Sequence, residues 1–336
     1  MELQNTATEL LLGIDIGSTT AKIVLRNGDK ILLERYERHF SQVREKTAEL
    51  LRLVKEIAGD KAVKAAISGS AGLGLAEAAH IPFVQEVFAT AQVVKLREPD
   101  TSCVIELGGE DAKIIFFKGG IDERMNGSCA GGTGAFIDQM ATLLNITVDE
   151  LDKLSLNAGR LYPIASRCGV FAKTDIQPLL NQGARKEDVA ASIYQAVVNQ
   201  TIAGLAQGRK IDGKVLFLGG PLYYCKGLGQ RFKETLELDD EHAVFPEYAR
   251  FAVALGASYY AEQQPEVFTA DKLLSLVENA ASVSSGKGRL KPLFRNEEEY
   301  NEFKHRHAAS SVKNADIEKY SGKAYLGIDC GSTTTK

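Results

Sequence analysis

Short apolar runs separated by tight turns open the chain and predict antiparallel strands. The runs span Leu10 to Ile14, Ile23 to Leu25 and Ile31 to Leu33, and an Asn-Gly-Asp turn at 27–29 separates the last two. Turns of this composition join neighbouring strands of a hairpin. The polar phrase Gly-Ser-Thr-Thr at 17–20 is therefore expected at the tip of the first hairpin.

Later segments carry both helical and strand patterns. Apolar residues recur at helical intervals between Ser41 and Ile57 and again between Glu187 and Ala206. Two strand patterns contain glycine pairs, Val-Ile-Glu-Leu-Gly-Gly at 104–109 and Lys-Val-Leu-Phe-Leu-Gly-Gly-Pro at 214–221. A polar break from Glu262 to Pro265 predicts that the first module ends at residue 262. We expect a connector over 263–324.

The phrase at the first hairpin occurs twice in the chain. Residues 13–22 and 327–336 are identical at eight of ten positions, including the Asp-x-Gly-Ser-Thr-Thr core. Self-similarity of this kind indicates a repeated structural unit. We therefore expect residues 325–336 to be the truncated start of a second copy of the module.

A Gly-Ser-Thr-Thr hairpin is suited to binding an anion. Its backbone N–H groups and hydroxyls can donate to phosphate oxygens, and a carboxylate at its base, Asp15, can hold a hydrated Mg²⁺. On this phrase alone an ordinary polar hairpin is equally compatible. The strand that carries Glu106 repeats the order of strand, carboxylate and two glycines and favours the phosphate site. No Gly-x4-Gly-Lys-Ser/Thr loop occurs in the chain.

The three glycine-containing stretches occur in an order that resembles the actin, sugar kinase and heat-shock chaperone superfamily. The resemblance implies an α/β, ribonuclease H-like ATPase with two lobes, residues about 1–100 and 101–262, and a nucleotide in the cleft between them. It implies phosphate contacts from two hairpins and adenosine contacts from the third stretch. The residues implied are Gly17, Ser18, Thr19 and Thr20, then Gly108, Gly109 and Asp111, then Gly219, Gly220 and Pro221.

A closer resemblance lies around two cysteines. The segments Asn126 to Phe136, with Cys129, and Ser166 to Ile176, with Cys168, look like the activator ATPases of 2-hydroxyacyl-CoA dehydratases and the ATPase subunits of benzoyl-CoA reductases. The resemblance covers roughly residues 10–262. It implies that Cys129 and Cys168 hold one 4Fe-4S cluster together with the same residues of a second ATPase module, in a homodimer or a tandem half.

The same resemblance implies a function and partners. Hydrolysis of Mg-ATP would drive an electron from the cluster to an iron-sulfur dehydratase or reductase in anaerobic metabolism, with ferredoxin or flavodoxin as the donor. Asp15 and Glu106 would organise Mg²⁺ and water, Lys22 would lie near the phosphates, and the nucleotide would also contact Gly132 and Thr133.

Two stretches depart from the family pattern, and the milder change is Ala-Gly-Gly-Thr-Gly at 130–134 in place of Ala-Ala-Gly-Thr-Gly. Where the activators have Asp-Ile-Gly-Gly-Gln-Asp, this chain has a glutamate at 106 and a second glutamate at 110. The longer carboxylate of Glu106 and the charge of Glu110 are expected to shift the metal or the attacking water by about a methylene, and displacements of this size affect rates.

Composition argues against nucleic-acid binding, a membrane span and a disulfide framework. The chain has 336 residues, 44% hydrophobic and 25% charged, with a net charge of −4, and so offers no basic footprint for nucleic acid. No apolar run reaches the ~18 residues that a membrane span requires. Five cysteines without a disulfide-type spacing indicate a reducing compartment. We expect a cytoplasmic protein, with Cys103, Cys225 and Cys330 as packed or incidental thiols and with His305 and His307 facing solvent.

Two other functions use the same ATP motifs. A small-molecule kinase of the superfamily would need an acidic base facing a substrate hydroxyl, and it would contain no iron. A non-catalytic, nucleotide-dependent assembly module would bind ATP with negligible hydrolysis. Iron content and turnover separate these alternatives from the activator.

Overall fold

The chain folds into two compact units, which divide after residue 282. A computed structural model describes residues 9–126, 131–165, 169–280, 291–312, 315–331 and 334–336. Cys129 and Cys168 lie outside these ranges. The first unit contains two mixed β-sheets with helices packed on them.

The first sheet has four strands in the order β3-β2-β1-β4. Strand β1 is antiparallel to β2 and parallel to β4, and the antiparallel strands predicted at the start of the chain are confirmed. The strand bounds are β1 Leu10–Ile16, β2 Thr20–Asn27, β3 Lys30–Arg38 and β4 Val63–Ser68.

The second sheet repeats this arrangement around a different central strand. Its five strands have the order β7-β6-β5-β8-β9, and β5 is antiparallel to β6 and parallel to β8. Both sheets therefore place a hairpin at the end of a central strand. The strand bounds are β5 Thr101–Leu107, β6 Ala112–Phe116, β7 Asp122–Met125, β8 Lys214–Leu218 and β9 Ala243–Val244.

Helices cover the sheets and form two main cores. Those of the first unit are α1 Val43–Ala58, α2 Leu73–Ala79, α3 Glu86–Arg97, α4 Gly134–Leu143, α5 Val148–Ser155, α6 Gly169–Asn181, α7 Lys186–Thr201, α8 Gly220–Tyr224, α9 Lys226–Thr235, α10 Ala252–Glu262 and α11 Ala270–Glu278. Helices α1, α2 and α11 bury apolar residues on the first sheet, and α4 to α9 bury theirs on the second. The helix predicted over 187–206 is confirmed, although its last turn, Ile202–Ala206, is a π-helix. No helix in the described ranges is both long enough and apolar enough to cross a membrane.

The second unit contains one helix in its described residues, α12 Glu297–Ala308, which is capped by the Asn296 side chain. His305 and His307 are exposed on this helix, as predicted. The residues on either side of the repeated Gly-Ser-Thr-Thr phrase pair with each other here as well. Asp329 and Lys336 exchange backbone hydrogen bonds of 2.9 Å, and the Gly331 N–H donates to the Thr334 carbonyl.

Helix α10 follows the second sheet in sequence but packs on the first. It crosses β1 at Gly13, where a Cβ atom would lie 1.8 Å from the Ala254 carbonyl oxygen. On its other side, a Cβ at Gly256 would lie 2.0 Å from the Ala89 carbonyl oxygen. The helix backbone is therefore in direct contact with the strand that ends at the first hairpin, and only glycine permits this approach.

Substitution of Gly13 by alanine should destabilise the first unit by at least ~2 kcal/mol, because the added methyl group must displace the α10 backbone. Urea unfolding followed by circular dichroism measures this. Gly327 is the matched control: it is the same residue of the repeated phrase, and a Cβ there would meet nothing within 4 Å. An equal loss in Gly327→Ala would show that helix contact is not the cause.

Candidate active site

The two hairpins meet tip to tip in the cleft between the sheets. Each is closed by the same bond, from Gly17 N–H to the Thr20 carbonyl at 3.0 Å and from Gly108 N–H to the Asp111 carbonyl at 2.7 Å. A Cβ atom at Gly109 would lie 2.2 Å from Thr19 Oγ1. The predicted phosphate residues of both stretches are thus brought together at one place.

The first hairpin contains a hydroxyl without a partner. Ser18 Oγ is buried and has no hydrogen-bond partner among the described residues. Ser68, which lies opposite Asp15 in the register of β1 and β4, also has a buried and unpaired hydroxyl. A buried hydroxyl without a hydrogen bond costs ~1–3 kcal/mol, and a bound polar ligand would remove that cost.

The base of the first hairpin carries a buried ion pair. Lys22 Nζ donates to Asp15 Oδ2 at 2.7 Å, and both side chains are largely buried. Burial by itself favours the neutral amine, but the Asp15 carboxylate outweighs it and holds the pKa of Lys22 above its usual range. Lys22 therefore stays positively charged next to the hairpin, as a phosphate-binding group requires.

The second hairpin is built over an excess of negative charge. The Lys113 ammonium, only 3% exposed, lies 2.7 Å from Asp111 and 3.6 Å from Glu106, and it also pairs with Glu86. Burial raises the pKa of Glu106 to about 7, and Glu86 and the other nearby carboxylates add to this while Lys113 opposes it. Three carboxylates thus share one ammonium.

This charge excess fits a hydrated Mg²⁺. Asp15 and Glu106 offer buried carboxylate oxygens, which are ligands that Mg²⁺ prefers. Among the described residues, no three His, Cys, Asp or Glu side chains converge as a ready-made metal site. Mg²⁺ commonly binds through one or two carboxylates together with waters and substrate phosphates, so this donor set is sufficient. Glu86 was not found from the sequence, because nothing in its local pattern indicates that α3 brings it to Lys113.

A cavity of about 300 Å³ adjoins the hairpins. Cavities of ~300–1,000 Å³ are typical of small-molecule and cofactor sites. Its wall includes Thr19, Thr20, Tyr36 and Arg38 from the first lobe and Gly134, Asp138, Gly220, Pro221 and Tyr224 from the second. Arg38 pairs with Asp138 at 2.8 Å across the two lobes. The third glycine stretch is part of this wall, since a Cβ at Gly220 would lie 2.2 Å from the Tyr36 hydroxyl.

Helix α4 is bonded directly to the second hairpin. Its first amides, Gly134 N–H and Ala135 N–H, donate to the carbonyls of Gly108 at 3.0 Å and Gly109 at 2.7 Å. Gly132, with a φ of 81°, and the buried Thr133 lead into this helix. Both predicted residues thus lie beside the second hairpin.

The starts of α4 and α6 lie side by side. A Cβ at Gly169, the first residue of α6, would lie 3.1 Å from Gln139 Oε1 and 3.7 Å from the Phe136 ring. Cys168 immediately precedes this glycine and Cys129 precedes α4, and both cysteines lie outside the described residues.

The remaining predicted residues are also placed. Glu110 is exposed at the tip of the second hairpin and makes no ion pair with Lys113. Gly219 has a φ of 94°, and a Cβ there would lie 2.0 Å from the Leu107 carbonyl oxygen, which accounts for the glycine at the end of β8. Cys103 and Cys225 are buried thiols and Cys330 is exposed.

The fold is that of a two-lobe ATPase of the actin and sugar kinase type, with paired hairpins at the cleft. Residues 12–261 match the BadF/BadG/BcrA/BcrD ATPase family, and the chain belongs to this family. The fold class, the family and the prediction of an ATPase are confirmed.

Individual relatives agree with this assignment. The chain is 31% identical over 258 residues to the (R)-2-hydroxyglutaryl-CoA dehydratase activating ATPase of Acidaminococcus fermentans, covering 74% of this chain and 96% of that protein. It is 28% identical over 267 residues to the 2-hydroxyisocaproyl-CoA dehydratase activator of Clostridioides difficile, covering 76% and 98%. The solved structure of the activator of the 2-hydroxyisocaproyl-CoA dehydratase from Clostridium difficile with bound ADPNP aligns with a TM-score of 0.64 and 26% identity, over 82% of this chain and 100% of that chain.

Replacement of Glu106 by glutamine should make stability less dependent on pH. The folded protein holds a proton on Glu106 up to a pKa of about 7, whereas the ordinary value is 4.5, so the folded state binds more protons in this window. Stability therefore falls as pH rises from 4.5 through 7, by an amount on the order of 1–3 kcal/mol, and Glu106→Gln removes this loss.

Urea unfolding at pH 5 and pH 8, without Mg²⁺ or nucleotide, measures this effect. The free energy of unfolding of Glu106→Gln, relative to that of the unaltered protein, should be higher at pH 8 than at pH 5. Glu110→Gln, at the exposed tip of the same hairpin, should show no such change. If the variant and the unaltered protein differed by the same free energy of unfolding at both pH values, the buried Glu106 would not hold a proton as stated.

Proposed function

We propose that this ATPase is an iron-sulfur activator that couples Mg-ATP hydrolysis to low-potential electron transfer into a partner enzyme. One observation carries the proposal. The carbonyls of Gly108 and Gly109, in the second phosphate hairpin, accept hydrogen bonds from the first amides of the helix that follows Cys129. Because these hydrogen bonds join the hairpin directly to α4, movement of the hairpin on hydrolysis would also move the start of this helix.

The hairpins would hold the nucleotide by charge and by backbone donors. Ser18, Thr19 and Thr20 would donate to phosphate oxygens, and Lys22 would neutralise phosphate charge. Asp15 and Glu106 would position Mg²⁺ and the attacking water. Catalysis of this kind depends on positioning and electrostatics and involves no covalent intermediate with the protein. Adenosine would occupy the cavity beside Gly220 and Pro221.

The cluster would lie where α4 and α6 begin. The positive end of the helix dipole at each helix start favours a negatively charged group by ~0.3–1 kcal/mol. A 4Fe-4S cubane is held by four thiolates, and each module offers Cys129 and Cys168. A second module, in a homodimer or a tandem half, would provide the other two. When bound, the cluster would supply a one-electron donor of low potential.

The partner would be an iron-sulfur dehydratase or reductase acting on a CoA ester. The relatives support a CoA-ester dehydratase as the partner, since their names describe activators of (R)-2-hydroxyglutaryl-CoA and 2-hydroxyisocaproyl-CoA dehydratases. Ferredoxin or flavodoxin would reload the cluster after each transfer. The second copy of the hairpin phrase, at 327–336, would begin a further ATPase module. Of the connector predicted over 263–324, helix α11 belongs to the core of the first sheet.

Asp15→Asn should lower the ATPase rate at saturating Mg-ATP by at least about tenfold, because it removes the negative charge that would hold Mg²⁺ and that pairs with Lys22. A coupled phosphate-release assay measures this rate. Asp329→Asn is the matched control, since Asp329 occupies the same place in the exposed second copy of the phrase. Unchanged turnover in Asp15→Asn, with an intact circular dichroism spectrum, would remove Asp15 from the site.

The cluster has a separate test, which does not depend on turnover. Anaerobically reconstituted protein should contain about four irons per pair of modules, and Cys129→Ser or Cys168→Ser should lose the iron and much of the dimer. Cys330→Ser, at an exposed thiol, should retain both. If the two cysteine variants keep their iron, or if the loaded protein is a monomer, the shared cluster is wrong and a small-molecule kinase becomes the better assignment.

A further inference from the structure

His39, the first residue after β3, is a buried histidine whose two ring nitrogens both have partners. It is 4% exposed. Its Nε2 lies 2.9 Å from the Gly17 carbonyl oxygen, and the Ser41 N–H donates to its Nδ1 at 3.1 Å. A carbonyl only accepts and a backbone N–H only donates, so these partners select the neutral ring with its proton on Nε2.

The turn after His39 is held in an unfavourable backbone conformation. Phe40 and Ser41 have φ angles of 48° and 64°, in the left-handed region that residues with side chains rarely adopt. This conformation directs the Ser41 N–H back to the imidazole, and Gln42 N–H closes the turn on the His39 carbonyl at 2.7 Å. Such strain persists only where surrounding contacts enforce it and is common at ligand sites. The turn thus fixes both the orientation and the tautomer of the ring.

The bond to Gly17 controls the plane of one peptide unit. In a trans peptide the carbonyl of Gly17 and the N–H of Ser18 point in opposite directions. Holding the carbonyl against His39 therefore holds the Ser18 N–H on the opposite side of the hairpin. Ser18 also carries the buried hydroxyl that has no partner among the described residues.

Closure of the hairpin is a separate property of the phrase itself. The bond from Gly17 N–H to the Thr20 carbonyl recurs as the bond from Gly331 N–H to the Thr334 carbonyl in the second copy. Neither that bond nor the matching bond from Gly108 N–H to the Asp111 carbonyl, which closes the other hairpin, involves a histidine. The imidazole is therefore not required to form the turn, and its contribution is the orientation of the Gly17–Ser18 peptide.

We propose that His39 is a positioning residue for the phosphate site: its neutral imidazole orients the Gly17–Ser18 peptide so that Ser18 presents its N–H to a nucleotide phosphate. This rests on the proposed function of the hairpin. His39 does not touch the phosphate. It acts through Gly17, and the Ser41 N–H keeps the ring in the tautomer that can donate.

Two substitutions of His39 each keep one of the ring's two hydrogen bonds and remove the other. The amide nitrogen of His39→Gln can take the place of Nε2 and donate to Gly17, whereas the side-chain oxygen of His39→Asn can take the place of Nδ1 and accept only from Ser41. Calorimetry with Mg-ATP should give a Kd raised about five- to tenfold in His39→Asn and changed by less than about twofold in His39→Gln. The exposed His242→Gln serves as the control and should bind Mg-ATP as the unaltered protein does.

Thermal unfolding of the same variants distinguishes positioning from simple structural support. A structural role alone would lower the unfolding temperature of both variants and leave the Kd of the folded fraction unchanged, which would overturn the proposal. Equal Kd values in His39→Asn and His39→Gln would also overturn it.

A measurement without nucleotide tests the tautomer of His39 separately from phosphate binding at the hairpin. Long-range ¹⁵N–¹H NMR should show His39 protonated on Nε2 and not on Nδ1 at neutral pH, with the signal assigned by its loss in His39→Gln. A proton on Nδ1 would overturn the proposal. If the tautomer is as expected but the unaltered protein binds no Mg-ATP, the phosphate function of the hairpin and the role of His39 in it are both refuted, while the ring geometry stands.

Discussion

The lobes meet at positions where no side chain fits, and the site depends on this constraint. Gly109 lies against the Thr19 side chain and Gly220 against the Tyr36 hydroxyl, and within the first lobe Gly13 lets α10 lie directly on β1. Contacts this close leave little freedom, because a displacement of one element must displace the next. A ligand bound between the hairpins would therefore act on both lobes.

The two hairpins differ in the charge that surrounds them. The first hairpin holds a balanced pair, Asp15 with Lys22, while the second surrounds Lys113 with three carboxylates. A cation between the hairpins would offset the excess charge on one side while the phosphates face Lys22 on the other. The longer carboxylate of Glu106 belongs to the ion cluster, and Glu110 points into solvent. Of the two glutamates that differ from the family pattern at 106–111, only Glu106 lies where metal and water would bind.

Local signals predicted the first three strands, the hairpins and the helices over 41–57 and 187–206, because each is specified by residues close together in sequence. Glycines in tight turns and apolar periodicity are sufficient for these elements. The partners that complete the site are distant in sequence: Glu86 reaches Lys113, Arg38 reaches Asp138, and α10 returns to the first sheet. No local pattern encodes these pairings. His39 was missed for the same reason, since its role is visible only once β3 lies beside the hairpin.

The repeated phrase separates what local sequence specifies from what tertiary packing adds. Both copies close the same turn, yet Leu12 and Ile14 are fully buried, at 0% exposed, while their counterparts Leu326 and Ile328 are 88% and 67% exposed. In the first copy, β4 pairs with β1 and α10 packs directly on it. Closing the turn therefore does not by itself bury the strand that leads into it. In the proposed phosphate site, this packed strand, the buried Asp15 carboxylate and the peptide oriented by His39 would together hold the donors of the first hairpin in place.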